Sequence, residues 1–418
     1  MKSEASNIMH MKNYRPILVL LATLFVSGES DVHAEYNYGP FSLSAFGTLG
    51  GAWLSNPHAD YVQGTQPVGP GLTHDFDLGL DSRLGAQLNA TLTPTTLITA
   101  QAVVERLPDN EISPRLTLAN IRQELSENFA IRIGRIQSPV FLASEYRLAN
   151  FSNPWIRTPG VLYGIYPLTH LDSADLTYRI DSGLGIFSLN AGYGWLTYPI
   201  PVVGGKKATT ALHMDDVVYA NLKLENDPWR FKLSWVHGYL TAHTDEIDQA
   251  LANMAVIDPI AASALQTDYL GVGLYTAGFS YEGTDWLVMS EWGIGLLDHT
   301  SLLSTTHGGY LTVGYHFDRW MPQITIGYQA SSDQRVHSSN AFLDSSIDQL
   351  HRLQRSDYRT LAFGLNYSVT DSIILRSQVD LIEPMGHSKG PYLKSDAGYK
   401  FDNPGIDALF SLALDFVY

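Results

Sequence analysis

The chain has 418 residues and no cysteine, which excludes disulfides, thiol catalysis and cysteine metal sites. Its 42 acidic side chains outnumber the 26 basic ones, and a formal charge of −16 argues against nucleic acid as a partner. A mean hydropathy of −0.05 excludes a helical membrane bundle, but it suits a membrane β-barrel, in which only alternate residues meet lipid.

Lys12 and Arg15 precede an apolar run from Ile17 to Val26, and Val32-His33-Ala34 offers the small residues a signal peptidase reads. The run is about 10 residues long, right for a secretory signal and too short for a spanning helix. Residues 1–34 are expected to be a signal peptide and residues 35–418 a single barrel domain. Met9 or Met11 is an alternative start.

Phe41 to Trp53 reads as the first strand, and a polar loop from Leu54 to Phe76 follows it. The stretch from Asp77 to Leu92 then sets the pattern. Leu78, Leu80, Leu84, Ala86, Leu88, Ala90 and Leu92 share one parity, and Asp81, Arg83, Gln87 and Asn89 the other. A strand sends successive side chains to opposite faces, so one wall is apolar and one wet. A length above about 10 residues is what a tilted strand needs to cross a bilayer.

The alternation recurs to the last residue. Ile98, Ala100, Ala102 and Val104 form the next apolar face. Ala119 and Ile121 put Asn120 and Arg122 inward, and Ile131 and Ile133 put Arg132 inward. Arg135 falls on the lipid parity, so the strand needs a bulge or an end before it. A connection from Gln137 to His170, rich in aromatics and charges, is the longest in the chain. Further strands are read around Leu176, Leu189, Leu222 and Leu233.

The loop from Thr241 to Asp268 differs in kind, because Ile247, Leu251, Met254 and Ala255 recur at helical spacing. In the strand Tyr269–Glu282 both faces are rather apolar, and the lipid face cannot be assigned. Alternation returns through Val288, Val313, Ile324, Phe363 and Leu381, and the final strand places Phe410, Leu412, Leu414, Phe416 and Tyr418 on one face.

The count is about sixteen strands, joined alternately by short turns and long loops, which is the pattern of a transmembrane antiparallel β-barrel of the all-β class. Trp229, Trp286 and Trp320 follow short turns, while Trp53, Trp195 and Trp292 sit where strands enter long loops, as two interfacial girdles require.

Three motifs carry a family resemblance. Ile131-Arg132-Ile133-Gly134-Arg135 resembles the end of the porin strand that precedes the constriction loop. Gly314-Tyr315-His316-Phe317-Asp318-Arg319-Trp320-Met321-Pro322 resembles a hairpin of porin-like proteins, and Leu414-Asp415-Phe416-Val417-Tyr418 is similar to their C-terminal strand. The resemblance to Gram-negative outer-membrane porins implies a homotrimer of water-filled barrels surrounded by outer-membrane lipid and lipopolysaccharide. It also implies a third outer loop folded into each lumen, and a terminal aromatic read by the barrel-assembly machinery. By strand count that loop is Gln137–His170. It lacks the Pro-Glu-Phe-Gly-Gly motif of many general porins, so pore-lining residues are chosen by type. They are Glu145, Arg147, Asn150 and Arg157 on the loop, facing Arg83, Arg122 and Arg132 on the wall. The competing reading of each arginine is a solvated lumen residue, or a strut to Asp81 or Asp175.

The expected function is passive diffusion of small hydrophilic solutes or ions, with no reaction catalysed and no cofactor or metal. The alternative is a barrel acting through its outer loops as adhesin, receptor or enzyme. His337-x-Ser339-Asn340 resembles part of the outer-membrane phospholipase motif, but Val336 and Ala341 stand where that family has glycines.

Overall fold

The computed structural model describes residues 36–202, 207–332, 335–401 and 404–418. The expected signal peptide lies outside them. Sixteen antiparallel strands close on themselves. The first eight are β1 (Phe41–Leu54), β2 (Arg83–Thr93), β3 (Thr96–Arg106), β4 (Ile112–Glu124), β5 (Phe129–Gln137), β6 (His170–Ser182), β7 (Gly185–Pro201) and β8 (Thr209–Asn226). They continue as β9 (Trp229–Ala242), β10 (Leu270–Glu282), β11 (Trp286–Leu297), β12 (Thr306–Tyr315), β13 (Trp320–Ser331), β14 (Tyr358–Thr370), β15 (Ile373–Pro384) and β16 (Asp407–Val417).

Each strand pairs with its sequence neighbours, and β16 closes on β1 from Leu409 opposite Leu54 to Val417 opposite Phe46. Beyond that ladder Ala45 and Tyr418 exchange both backbone hydrogen bonds at 2.7 Å. The ring therefore leaves no open edge, the condition for backbone groups to be satisfied in hydrocarbon.

The alternation read from sequence sets the two walls. Leu88, Ile121, Ile133, Leu176, Leu189, Leu233, Ile324, Phe363 and Leu412 are exposed on the outside. Thr48, Gln101, Ser188, Asn221, Thr276, Thr312, Asn366 and Gln378 are buried on the inside. Both girdles form. Trp229, Trp286 and Trp320 pack edge-on or tilted against Tyr281, Tyr315 and Tyr367 of neighbouring strands at the short-turn end. Trp53 and Trp292 meet Phe410 and Tyr328 at the other.

Three expectations change. Residues Asp77–Ser82 are not strand; the ladder starts at Arg83. The buried Asp77 accepts hydrogen bonds from Arg106 and from the Leu80 N–H, so its carboxylate turns the chain before the strand begins. Arg135 keeps the outward parity with no register shift, and Asp172 beside it on the same face takes a bidentate bond at 2.7 and 2.8 Å. In β10 the tyrosines face out and the leucines in: Tyr275 is exposed while Leu270 and Leu274 are buried. On the outer face of β1 the small residues Gly47 and Gly51 lie under neighbouring rings. A Cβ at Gly47 would strike the Phe416 ring, and one at Gly51 the ring of Phe76.

The expected helix exists. α2 (Asp245–Ala255) is capped by Thr244, whose side chain accepts from the Ile247 N–H. α3 (Pro259–Ala264) follows, and α4 (Ala341–Gln354) joins them from the next-but-one outer loop. Met254, Ala261, Leu265, Leu302, Leu343 and Ile347 make a small core of their own, separate from the barrel interior.

Candidate pore constriction

The connection between β5 and β6 turns inward at Pro139 and crosses the lumen. Trp155 is buried where it donates its indole N–H to Thr312, at 2.8 Å, and to Thr325. Two single turns and a short helix, α1 (Gly160–Tyr163), give the loop what secondary structure it has. Its free backbone groups are taken by the barrel wall, as buried backbone requires.

The anchors run along half the barrel. Lys232 of β9 donates to the Phe141 carbonyl at 2.7 Å, and Thr276 of β10 to that of Val140 at 2.9 Å. Glu291 of β11 accepts from the Leu142 N–H at 2.9 Å. Gln323 of β13 and Asn366 of β14 both donate to the Pro154 carbonyl. Arg376 of β15 donates to the carbonyls of Asn150, Phe151, Asn153 and Pro154, and its Nε pairs with Asp415 at 2.5 Å. Arg157 pairs with Asp81 at 2.6 Å and Asp380 at 3.1 Å, and donates to Ser411 of β16 at 2.7 Å.

The loop is thus held against the wall from β9 to β16, and the remaining gap faces β2 to β7. A narrow cavity of about 60 Å³ marks it. Arg83, Arg147, Asn150 and Arg157 line it, joined by Arg106, Arg115 and Glu105. The structure thereby brings together four of the seven residues chosen from sequence.

Their roles differ. Arg83 is buried, and its Nε has no hydrogen-bond partner among the described residues. Arg147 donates to the Tyr163 carbonyl at 3.3 Å and lies 5.3 Å from that ring's centre, with no ion pair among the described residues. Asn150 is structural, donating to the Ile156 carbonyl at 2.9 Å, and Arg157 is the strut described above. Arg115 is held by Glu105 at 2.5 Å.

The other three stand apart. Arg132 pairs with Asp175 at 2.6 Å, the strut reading weighed from sequence. Arg122 pairs with Glu124 at 2.8 Å. Glu145 points to solvent. Sequence reasoning missed Arg106, Arg115 and Arg376. Arg376 falls on the parity opposite Leu375 and Leu381 and so inward, but its part in binding the loop comes from pairing across more than two hundred residues, which no local pattern carries.

The phospholipase-like segment is a helix start. Asn340 caps α4, accepting from the N–H groups of Phe342 and Leu343, and His337 pairs with Asp344 at 3.3 Å. Ser338 donates to Asp258 at 2.6 Å and holds that carboxyl below its ordinary range. Among the described residues no group of three or more His, Asp or Glu is placed to hold a metal.

No protein-family model matches the sequence, and no curated protein does. Solved structures do. The anion-selective porin from Comamonas acidovorans superposes with a TM-score of 0.55 at 10% identity, over 90% of this chain and 100% of that one. Salmonella typhi OmpF, in a complex with daunomycin, gives 0.53 at 13% over 91% and 100%. A trimer form of OmpT from Vibrio cholerae gives 0.52 at 11% over 90% and 99%. With its closed ring, apolar belt and two aromatic girdles, the chain has the fold of a sixteen-stranded bacterial outer-membrane barrel.

Proposed function

We propose that the protein is a porin-like channel through which small hydrophilic solutes and ions diffuse passively across the outer membrane, and that it catalyses no reaction. The observation that carries this reading is the inward loop, fastened to half the wall so that the passage narrows on the other half. A pore selects by diameter and by the charges at its narrowest point. Here Arg83 and Arg147 contribute positive charge, and neither is in an ion pair among the described residues. Arg122, Arg132 and Arg157 line the path as members of ion pairs, while Glu145 and Asn150 complete the loop's share. The field at the narrow point favours anions.

Assembly as a homotrimer belongs to the same proposal. Its support is the likeness to trimeric barrels, since the β1 glycines are covered by the chain's own rings.

The test is single-channel recording in a planar bilayer, with the reversal potential read under a salt gradient. Stepwise conductance with a reversal potential on the anion side is the expected result. A protein correctly folded by gel mobility that passes no current would overturn the channel reading.

A further inference from the structure

The lumen is not polar throughout. At the outer ends of β7 to β10 the inward parity carries Leu196, Met214, Val236 and Leu274, all buried, with Leu240 and Val272 packed against them. This is the wall that made β10 ambiguous in sequence. It encloses a cavity of about 300 Å³ above the inward loop, closed on the loop side by Ile165 and Leu168. That volume lies at the lower end of the range of small-molecule sites, which are mostly apolar with a few placed polar groups.

The polar groups sit at one end. Gly164, Gln329, Gln354 and Ser356 line this cavity and also a second one of about 220 Å³. Gln329 is buried and its Oε1 has no hydrogen-bond partner among the described residues. The second cavity holds two cations, Arg147 and Lys389, neither in an ion pair among the described residues. Arg147 also lines the constriction. The apolar chamber therefore shares a polar border, Gln329, Gln354 and Ser356, with a cavity lined by Arg147 and Lys389, and Arg147 belongs to the narrow point as well.

A channel for polar solutes alone has no use for this chamber. Water against an apolar wall is unfavourable in proportion to the area it wets, and a general filter gains nothing from it. We propose that the chamber and its cationic end form a binding site for a small amphipathic carboxylate, an apolar aromatic or aliphatic body with one anionic head. The body fills the space between Leu240 and Leu274, and the head reaches Arg147 and Lys389. Guanidinium and ammonium donors bind carboxylate through charge-assisted hydrogen bonds, about twice as strong as neutral ones. The inference rests on the channel reading for how the ligand arrives and leaves, not for the site itself.

The test is calorimetry on the full protein in nanodiscs, with heats from empty nanodiscs subtracted. The probes are 3-phenylpropionate, acetate as head without body, and 3-phenylpropan-1-ol as body without charge. 3-Phenylpropionate should bind at least about ten-fold tighter than either control: one charge-assisted bond supplies that preference over the alcohol, and burial of the apolar body supplies it over acetate. The double substitution Arg147→Gln with Lys389→Gln should weaken it about ten-fold and leave the alcohol unchanged. Leu240→Gln, which keeps the charges, should weaken acid and alcohol alike. Absence of saturable heat with 3-phenylpropionate, acetate binding as tightly, or an acid preference that survives the double substitution each overturns the site. Bilayer current separates the two readings. A protein that conducts but does not bind sinks the site alone, and one that binds but does not conduct sinks the channel alone.

Discussion

Arg376 shows how one side chain can set the shape of a passage. It is almost fully buried, as is its partner Asp415, and its guanidinium serves four carbonyls of the inward loop. Removing one member of a buried pair costs about 3–5 kcal/mol, because the other charge stays behind unpaired. Arg376→Met should therefore lower the temperature at which the compact gel form converts to the unfolded one, and raise current noise as the loop loosens. Arg376→Met combined with Asp415→Asn should recover most of the thermal loss but not the quiet current, since the carbonyls still lack their donor. Equal noise in the variant and the parent would show that the loop is held without it. Little of this was legible in the sequence. Parity places Arg376, Arg132 and Arg83 on the inner wall, but whether an inward arginine is a strut or a field source depends on carboxylates far along the chain. Asp175 lies 43 positions from Arg132 and Asp81 lies 76 from Arg157, and no residue type announces either match.

At the scale of elements the sequence was far more informative, because strand period and turn chemistry are local. Strands ended where Pro94, Asn226 and Asp318 turn the chain, and the amphipathic spacing of Ile247, Leu251 and Met254 became α2. The start of β2 was missed for a physical reason. Asp77–Ser82 carries the alternation, but two buried carboxylates there bind Arg106 and Arg157, and these side-chain bonds outweigh the ladder. The inward loop was identified by strand count, by its length and by the porin resemblance, but its internal form was not legible because it borrows its hydrogen bonds from the wall. Deleting residues 143–160 tests that dependence. A water-filled barrel of this size is otherwise wide, so conductance should rise and larger sugars should enter in liposome swelling. The same deletion strips partners from Asp81 and Arg376, so the barrel should also melt earlier. Unchanged conductance in folded protein would place the loop outside the conduction path.

The whole molecule is a ring, so its last strand must be right for any of the rest to form. Tyr418 bonds Ala45 across the seam, and Phe416 fills the space over Gly47. A variant lacking Phe416 and Tyr418 should accumulate unassembled in the periplasm, without the heat-shifted gel mobility of a closed barrel. Normal mobility would mean that the seam closes without them.

The ring also fixes the sign of the field inside it. Formal charge over the chain is strongly negative, yet the narrow point is lined by arginines, so under the proposed channel function net charge and selectivity point in opposite directions. In a confined, partly desolvated passage near charges are screened less than on an open surface, and the local set decides. Changing Arg83, Arg122 and Arg132 together to Gln should move the reversal potential toward cations with little change in conductance. Most of that shift should come from Arg83. Each substitution lowers the local charge by one, but Arg83 lines the narrow cavity while Arg122 and Arg132 pair with Glu124 and Asp175 away from it. Arg83→Gln alone should therefore reproduce at least half of the triple effect. If the triple substitution leaves the reversal potential where it was, ions do not pass this wall. If Arg122→Gln and Arg132→Gln account for all of it, the field is set by the ion pairs along the wall, and the buried cluster beside the loop is bystander to conduction.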